Sequence, residues 1–190
     1  MLNKKSIITL LILIFSVSNT NLKASTKLEI VNNLNNIETL KFDFIQISYD
    51  KKENGICFLK RPHFLKCTYN DNKNQKELII NRNNLIIYHK RYHKTYYYPV
   101  SNSYFLEILN KEKFANIILE GDLILNDKIL EVRHSGKKKG EIIFFFDKEN
   151  FDLSGWEIID LNGNHTNFQI RNLNKNQYLD KKLFSIPEVN

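Results

Sequence analysis

One predicted turn has two cysteines and an arginine around it, and their residue types and spacing could support a disulfide bond and a buried charged contact. Alternating runs on both sides of Arg61-Pro62-His63 predict a β-hairpin, with the proline in its turn because proline cannot donate a ladder hydrogen bond. If the loop has three residues, Cys57 lies opposite Cys67, and the pair can form a cross-strand disulfide in an oxidising compartment. A two-residue turn would shift the pairing and leave two buried thiols instead.

The same hairpin places one charged group beside an apolar surface. Leu59 and Leu65 share a face with the two cysteines, and Arg61 has the parity of that face. A guanidinium at the rim of an apolar surface needs a hydrogen-bonding partner, because burying a charge alone costs free energy. Arg61 is therefore the first candidate for a functional polar contact.

Motifs typical of catalysis or of metal binding do not occur in the chain. There is no G-x-S-x-G, no H-E-x-x-H and no phosphate-binding loop. His89 and His93 have the look of a metal pair, but positions four apart in a strand are separated by about 13 Å, which is too far for one ion. The sequence therefore predicts no enzyme, no catalytic residue, no metal and no cofactor.

The first 24 residues have the pattern of an export signal peptide. A basic start at Lys4 and Lys5 precedes the apolar run Ile7–Val17, and Leu22-Lys23-Ala24 is a passable cleavage site that Leu22 weakens. The apolar run is too short to predict a membrane-spanning helix. We therefore expect residues 1–24 to be removed and residues 25–190 to form one exported domain, with a retained N-terminal anchor as the alternative.

Export changes what the positive charge of the chain implies. The formal net charge of +7 falls to about +4 once Lys4, Lys5 and Lys23 are removed. The basic and aromatic stretch His89–Tyr98 could bind single-stranded nucleic acid. An exported protein has little access to nucleic acid, so a solvated strand end is the better account and no nucleic-acid partner is expected. The net charge favours a weak attraction to anionic lipid headgroups.

Short β-branched and aromatic runs dominate the mature chain and predict a mainly β (α+β) fold. One helix precedes the strand runs, which begin at Leu40, and Asn162-Gly163 is the strongest turn signal between them. A short amphipathic helix is predicted at Tyr104–Leu109. We expect a single antiparallel sheet that curls into an incomplete β-barrel, with the two helices over its open side.

Such a curled sheet can enclose an apolar cavity. The candidates to line this cavity are the large apolar side chains of the strands, the hairpin and the short helix: Phe42, Phe44, Leu59, Leu65, Tyr88, Tyr96, Tyr98, Phe105, Ile108, Leu109, Phe144, Phe146 and Trp156. Alternatively, these side chains simply fill a core, since strand periodicity reports burial and not emptiness.

Six short pieces of the chain follow one another in a recognisable order. They are F-I-Q at 44–46, F-L-K-R-P at 58–62, L-I-I-Y at 85–88, the short helix after Pro99, D-L-N-G-N-H-T at 160–166 and L-F-S-I-P at 183–187. In this order, and behind a signal peptide, they cover almost the whole mature chain. The chain thereby resembles the LolA family, the periplasmic carriers of outer-membrane lipoproteins.

The resemblance implies an incomplete barrel with a helical lid over an apolar cavity that takes up the acyl chains of a lipoprotein. It implies that Arg61 contacts the lid and acts as a latch between its closed and open positions. It also implies a periplasmic monomer whose partners are lipoproteins, the inner-membrane lipoprotein-releasing ABC transporter, and an outer-membrane acceptor protein or the outer membrane itself. A related lipid-binding or lipoprotein-sensing module that does not transport is the alternative.

Overall fold

A computed structural model describes residues 22–70 and 75–187 of the chain. Most of the predicted signal peptide, residues 1–21, lies outside these described residues. Among the described helices, none is both long and apolar enough to cross a membrane. The described part is a single curled antiparallel sheet that does not close, covered by helices, and this confirms the predicted fold class.

The sheet has eleven strands in the part of the chain that the structure describes. In chain order they are β1 Thr39–Ser48, β2 Lys51–Lys60, β3 Phe64–Tyr69, β4 Lys76–Asn81, β5 Asn84–His89, β6 Lys94–Pro99, β7 Asp122–Leu125, β8 Ile129–Gly136, β9 Gly140–Asp147, β10 Leu153–Ile159 and β11 His165–Lys175. Across the sheet their order is β6-β5-β4-β3-β2-β1-β11-β10-β9-β8-β7. The first and last strands therefore pair in the middle, and β6 and β7 are the two edges.

The register of the β2–β3 hairpin decides which side chains share a face. Its loop has three residues, and Cys57 pairs with Cys67 as expected for that loop length. Side chains directly opposite one another in an antiparallel pair lie on the same face of the sheet. Leu65 pairs with Leu59 on one side and with Ile80 on the other, so these three lie on the concave face.

In the described part of the chain, three α-helices cover the concave face of the sheet. Helix α1 covers 22–35 in the described residues and contributes buried Ile30 and Leu34 to the core. Helices α2, Phe105–Leu109, and α3, Lys111–Glu120, follow β6, and together we call them the lid. Lys111 Nζ donates a hydrogen bond of 2.7 Å to the Asn35 carbonyl oxygen, which ties the lid to the end of α1.

The sequence pattern predicts α2 but misses α3. Asn110 ends the first helix, and its side-chain oxygen accepts a hydrogen bond of 3.0 Å from the Lys113 backbone N–H, which caps the second helix. The buried side chains of α3 are Phe114, Ile117 and Ile118, at helical spacing. The lid is therefore longer than predicted, and it links one edge strand, β6, to the other, β7.

Candidate functional site

The concave face encloses a cavity of about 270 Å³, which we call the hollow. Side chains of β1 to β5, β10, β11 and α2 form its walls. Most of these side chains are apolar or belong to a disulfide: Phe42, Cys57, Leu65, Cys67, Leu78, Ile87, Phe105, Trp156, Ile158 and Phe168. A space of this size with such walls suits an apolar ligand.

Small side chains on β2 and β3 leave part of the hollow empty. Cys57 and Cys67 are joined by a disulfide between directly paired positions, with their Cα atoms 4.1 Å apart. Both are buried in the wall of the hollow. The disulfide fills much less space than two large apolar side chains at these positions would, and it fixes the pairing of the two strands beneath the hollow.

A row of aromatic rings forms the floor across the middle of the sheet. Trp156 stacks on Phe168 with ring centroids 4.1 Å apart, and Phe168 stacks on Phe44 at 4.8 Å. Phe44 in turn meets the Tyr69 ring edge-on at 4.9 Å. The Phe44 ring lies over Gly55, where an added Cβ would be 2.8 Å from the Phe44 ring and 2.0 Å from the Thr68 carbonyl oxygen. Trp156, Phe168 and Tyr69 of this row line the hollow, whereas Phe44 packs against Phe168 and Tyr69 without lining it.

Polar groups collect at one end of the hollow. The Tyr69 hydroxyl donates a hydrogen bond of 2.8 Å to Gln46 Oε1, and Lys76 Nζ lies 3.8 Å from the centroid of the Tyr69 ring. Lys76 also donates hydrogen bonds of 2.9 Å to both carboxylate oxygens of Glu53. This end can hydrogen-bond the polar part of a molecule whose apolar part lies against the floor.

Two pKa shifts follow from this arrangement. Burial raises the pKa of the Tyr69 hydroxyl, so it stays protonated and remains a donor to Gln46. Burial also tends to raise the pKa of Glu53, but hydrogen bonds from Lys51 and Lys76 outweigh it and leave that pKa below its usual value. Glu53 is therefore a carboxylate at neutral pH.

Arg61 lies at the opposite end, under the lid. A small cavity of about 20 Å³, lined by Arg61 and by lid residues, shares Phe42, Leu65 and other residues with the hollow. That volume is no more than one water molecule needs. The lid is therefore closed onto this end of the sheet.

The Arg61 guanidinium is buried without the hydrogen bonds that a charge normally requires. Its Nε and Nη1 atoms have no hydrogen-bond partner in the described structure, and its Cζ atom lies 5.7 Å from the Phe114 ring centroid. Burial lowers the pKa of Arg61 to about 10, and the charge of Glu38 offsets part of this effect. The hydrogen-bonding partner expected for Arg61 is thus absent at these two atoms, and its contact with the lid is a cation–π contact with α3.

Seven of the side chains expected to line the cavity do so, in two groups. Phe42, Leu65, Phe105 and Trp156 line the hollow. Leu59, Ile108 and Leu109 line the small cavity beside Arg61. The β2–β3 hairpin and the lid therefore bring together the residues that the alternation of the hairpin and the helical spacing after Pro99 had singled out.

Three phenylalanines expected in the cavity are instead part of the filled core. Phe144 and Phe146 have no exposed surface, and the Phe144 ring packs against Phe114 of α3 at a centroid distance of 4.8 Å. Phe44 is covered by the rings of Phe168 and Tyr69. All three lie on the concave side as expected, but other side chains occupy the space above them.

Three tyrosines expected in the cavity lie elsewhere. Tyr88 pairs with Glu77, whereas its neighbour Ile87 pairs with Leu78 and lines the hollow. Tyr88 is therefore on the convex face, and its assignment to the cavity is wrong. Tyr96 and Tyr98 have the parity of the concave face, but they lie on the edge strand β6 and are 45% and 48% exposed.

Several residues of the site are missed by the sequence pattern. Phe114 lies on the unpredicted helix α3, where Asn110 as a cap and the spacing of Phe114, Ile117 and Ile118 were the available signal. Tyr69 and Lys76 form the polar end, but nothing in their local sequence distinguishes them from other strand residues. Only the pairing of β3 with β4 brings these two side chains together.

The histidine pair needs a different argument from the one that the sequence suggested. A 3-10 turn, Lys90–Tyr92, lies between His89 and His93, so strand spacing does not separate them. The described residues contain no group of three or more His, Cys, Asp or Glu side chains placed to hold a metal ion. The His89 ring instead meets the Tyr96 ring edge-on at 5.8 Å.

Two further depressions on the surface are polar and open to solvent. One of about 410 Å³ lies between the lid and the β8–β9 turn and contains Glu107 and Lys139, which form an ion pair of 2.6 Å. The other, of about 600 Å³, lies beside Asp43 and Arg171 on the convex face. Neither has the apolar walls of the hollow, so the hollow is the better candidate for a ligand site.

Comparison with known proteins identifies one matching family. The model of the family described as "Outer membrane lipoprotein carrier protein LolA" matches residues 35–187, which include the whole sheet and the lid. No curated protein sequence matches the chain. The family match thus covers most of the chain.

Solved structures with a similar fold share little sequence with the chain. An uncharacterised conserved protein from Thermus thermophilus has a TM-score of 0.55 at 8% identity, covering 84% of this chain and 93% of that one. A DUF1329 family protein from Desulfovibrio piger has a TM-score of 0.51 at 9% identity, with coverages of 87% and 96%. A LolA superfamily protein from Nitrosomonas europaea has a TM-score of 0.45 at 9% identity, with coverages of 85% and 98%. The first two likenesses concern the fold alone.

Proposed function

Because the chain belongs to the LolA family, we propose that it carries lipoproteins between membranes by sheltering their acyl chains in the hollow. The observation that carries this proposal is the apolar cavity of about 270 Å³ between the sheet and the lid. The proposal includes export, so that residues 25–190 act in the periplasm. It assigns no catalytic step, no metal and no cofactor to the chain.

The physical need for such a carrier comes from the cost of exposing acyl chains to water. Each exposed methylene costs about 0.8 kcal/mol, so an acylated protein does not cross an aqueous compartment unaided. The aromatic floor and the aliphatic walls replace that water with apolar contacts. The ester and amide groups of the cargo then lie at the polar end, beside Gln46 and Tyr69.

We expect the lid to move during loading. The cavity of about 270 Å³ lies just below the range of volumes that ligand sites usually have, about 300 to 1,000 Å³, and lipoproteins carry several acyl chains. Binding of cargo would therefore displace α2 and α3 from the concave face.

Arg61 has a defined task in this scheme. Its buried guanidinium, which lacks hydrogen bonds at Nε and Nη1, would lie beside the bound chains, which makes prolonged retention unfavourable and favours release to the acceptor. As a hypothesis, Arg61→Leu takes up cargo but fails to transfer it, whereas Arg61→Lys keeps the charge and transfers. Transfer from preloaded protein to outer-membrane vesicles measures this, and normal delivery by Arg61→Leu would rule out the latch role.

The proposed function is tested by lipoprotein release from spheroplasts. Spheroplasts are incubated with the mature protein, and the medium is examined for a soluble complex of this protein with a lipoprotein. We expect release to require the inner-membrane ABC transporter and to stop when Ile87→Trp fills the hollow. Tyr97→Trp, on the neighbouring strand but on the convex face, is the matched control.

Two results would contradict the carrier function. Absence of any released complex from the wild-type protein would favour the alternative, a lipid-binding or lipoprotein-sensing module that does not transport. Equal release by Ile87→Trp and Tyr97→Trp would show that the hollow is not the cargo site. Thermal unfolding of both variants confirms that they are folded before release is compared.

A further inference from the structure

One continuous segment of the chain is basic and has no acidic residue. Residues 78–106 contain Arg82, Lys90, Arg91 and Lys94 but no Asp or Glu. Outside this segment and the predicted signal peptide, acidic residues are interspersed with the basic ones. The local excess of positive charge therefore attracts an anionic partner to this part of the surface.

The same segment exposes a group of tyrosines at one edge of the sheet. The end of this segment, Lys90–Pro99, contains the 3-10 turn and β6, and we call it the tyrosine edge. Tyr92 in the turn is 55% exposed, and Tyr97 on the convex face of β6 is 61% exposed. Within the described residues β6 pairs only with β5, so its outer side has no neighbouring strand.

The distribution of these rings favours a membrane surface over a folded protein partner. Tyr96 and Tyr98 are on the concave side of β6 and Tyr97 is on the convex side, so exposed rings surround the edge and do not form one flat patch. Tyrosine and lysine both place an apolar stem in a bilayer interface while their polar ends stay in water. An edge with rings on both sides can enter such an interface end-on.

The tyrosine edge also adjoins the hollow and the lid. Tyr96 pairs with Ile87, a wall residue of the hollow. The lid begins six residues after the last residue of β6, Pro99, at Phe105. Contact at the tyrosine edge therefore brings the open side of the sheet to whatever surface the edge touches.

We propose that the tyrosine edge docks the protein onto bilayers that contain anionic phospholipids. Lysine and arginine contact the lipid phosphates, and the tyrosines enter the interface beside the acyl boundary. The purpose of docking rests on the proposed function, because docking would hold the hollow at the membrane where cargo leaves or enters. The docking itself does not require that function. The binding assay below contains no lipoprotein, so its failure and a failure of carrier activity are distinguishable.

Vesicle sedimentation tests the docking surface. The mature protein is mixed with vesicles of phosphatidylcholine alone or with an equal amount of phosphatidylglycerol, at low and at physiological salt. We expect binding to the anionic vesicles and little to the neutral ones, with weaker binding as salt rises. The double variant Lys90→Glu and Lys94→Glu should lower the apparent affinity at least tenfold.

A matched charge reversal near the opposite edge of the sheet is the control. Lys128 and Lys148 are exposed in the turns next to β8 and β9, and Lys128→Glu with Lys148→Glu makes the same change in net charge. Loss of binding in both double variants, or no binding to anionic vesicles by the wild type, would overturn the proposal. Binding of single-stranded DNA but not of vesicles would also overturn it, in favour of a nucleic-acid site.

The tyrosines provide a second, independent measurement. The double variant Tyr92→Ser and Tyr97→Ser keeps the charge, so it should still bind at low salt but lose at least threefold in affinity at physiological salt. In the wild type, tyrosine fluorescence should rise on binding as the rings leave water. Unchanged affinity of this variant at both salt concentrations would show that the tyrosines do not enter the interface, and would overturn that part of the proposal.

Discussion

The two halves of the sheet have the same alternation of apolar residues but very different interiors. Beneath α3, the strands β8 and β9 present Val132, Phe144 and Phe146, which are fully buried, and the Phe144 ring packs against Phe114 of the helix. On the other side of β1, the strands β2 to β5 present Cys57, Leu78 and other smaller side chains around the hollow. One half is a packed core, and the other half is a cavity.

The difference shows that side-chain volume and helix cover decide whether a concave face is filled. Phe114 of α3 enters the first half and packs on Phe144. The second half faces the short helix α2, whose Phe105 only lines the hollow. Close packing is the default of protein interiors, so an apolar space left open here is a property that the small wall side chains maintain.

The largest expected effect tests this comparison directly. Phe144→Ala in the filled half should lower the free energy of unfolding by about 4 kcal/mol, because it leaves a large void under α3. Phe105→Ala in the wall of the hollow should cost only about 1 kcal/mol, because that side chain already borders open space. Urea unfolding of both variants measures the difference, and equal losses would mean that the two halves are packed alike.

The next effect concerns the disulfide beneath the hollow. Replacing Cys57 and Cys67 by alanine should lower the free energy of unfolding by about 3 kcal/mol, because the unfolded chain loses a short closed loop. Urea unfolding of the double variant measures the loss. The wild-type protein under a strong reductant is the control, and it should approach the stability of the variant. A variant as stable as the oxidised wild type would show that the bond does not support the hollow half.

Replacing Arg61 should increase the free energy of unfolding, whereas the two preceding changes decrease it. Arg61→Leu removes a buried charge that lacks hydrogen bonds at two of its nitrogens, so it should raise the free energy of unfolding by about 2 kcal/mol. The unfolded state binds the Arg61 proton more tightly than the folded state does, so the penalty is present below pH 10 and is relieved as pH rises toward 12.5.

Chemical unfolding at several pH values checks both statements about Arg61. The advantage of Arg61→Leu over the wild type should shrink as pH rises above about 10, the pKa of the buried guanidinium. A destabilised leucine variant would mean that the contact of Arg61 with Phe114 outweighs the cost of burying its charge.

The smallest effect is expected at the polar end of the hollow. Because the folded-state pKa of Glu53 is lowered, its ionised form adds stability above pH 4.5, and that stability is lost as pH falls below this value. Glu53→Gln should therefore flatten the acid side of the stability curve, by less than about 1 kcal/mol. Glu149→Gln makes the same change of charge at an exposed position and is the matched control.

Structural features that depend on a single turn could be predicted from the sequence. Proline in the turn and the parity of its flanking runs predicted the pairing of Cys57 with Cys67 for a three-residue loop, which the structure has, and the position of Arg61 at the apolar face. The lid helix at Phe105–Leu109 followed from helical spacing after Pro99. These predictions depend on neighbours within a few residues, which the alternation of a strand or the spacing of a helix records.

The residues that line the cavity could not be predicted in the same way, because their positions depend on pairings between strands that are distant in the sequence. Tyr88 was assigned to the cavity by its size, but the registers of β4 and β5 place Ile87 there instead. Phe144 was assigned to the correct face, but only the position of α3 shows that the space above it is occupied. Burial of a strand position can be predicted from alternation, whereas emptiness requires the covering element.

The cover of the hollow is anchored at both of its ends. The chain leaves one margin of the sheet at Pro99 and joins the opposite margin at Asp122, with α2 and α3 between them. A lid attached to both edge strands cannot rotate away about a single hinge. It can open only if its middle moves outward or if the two edge strands move apart. The length of chain between these two anchor points therefore limits how far the lid can rise from the sheet.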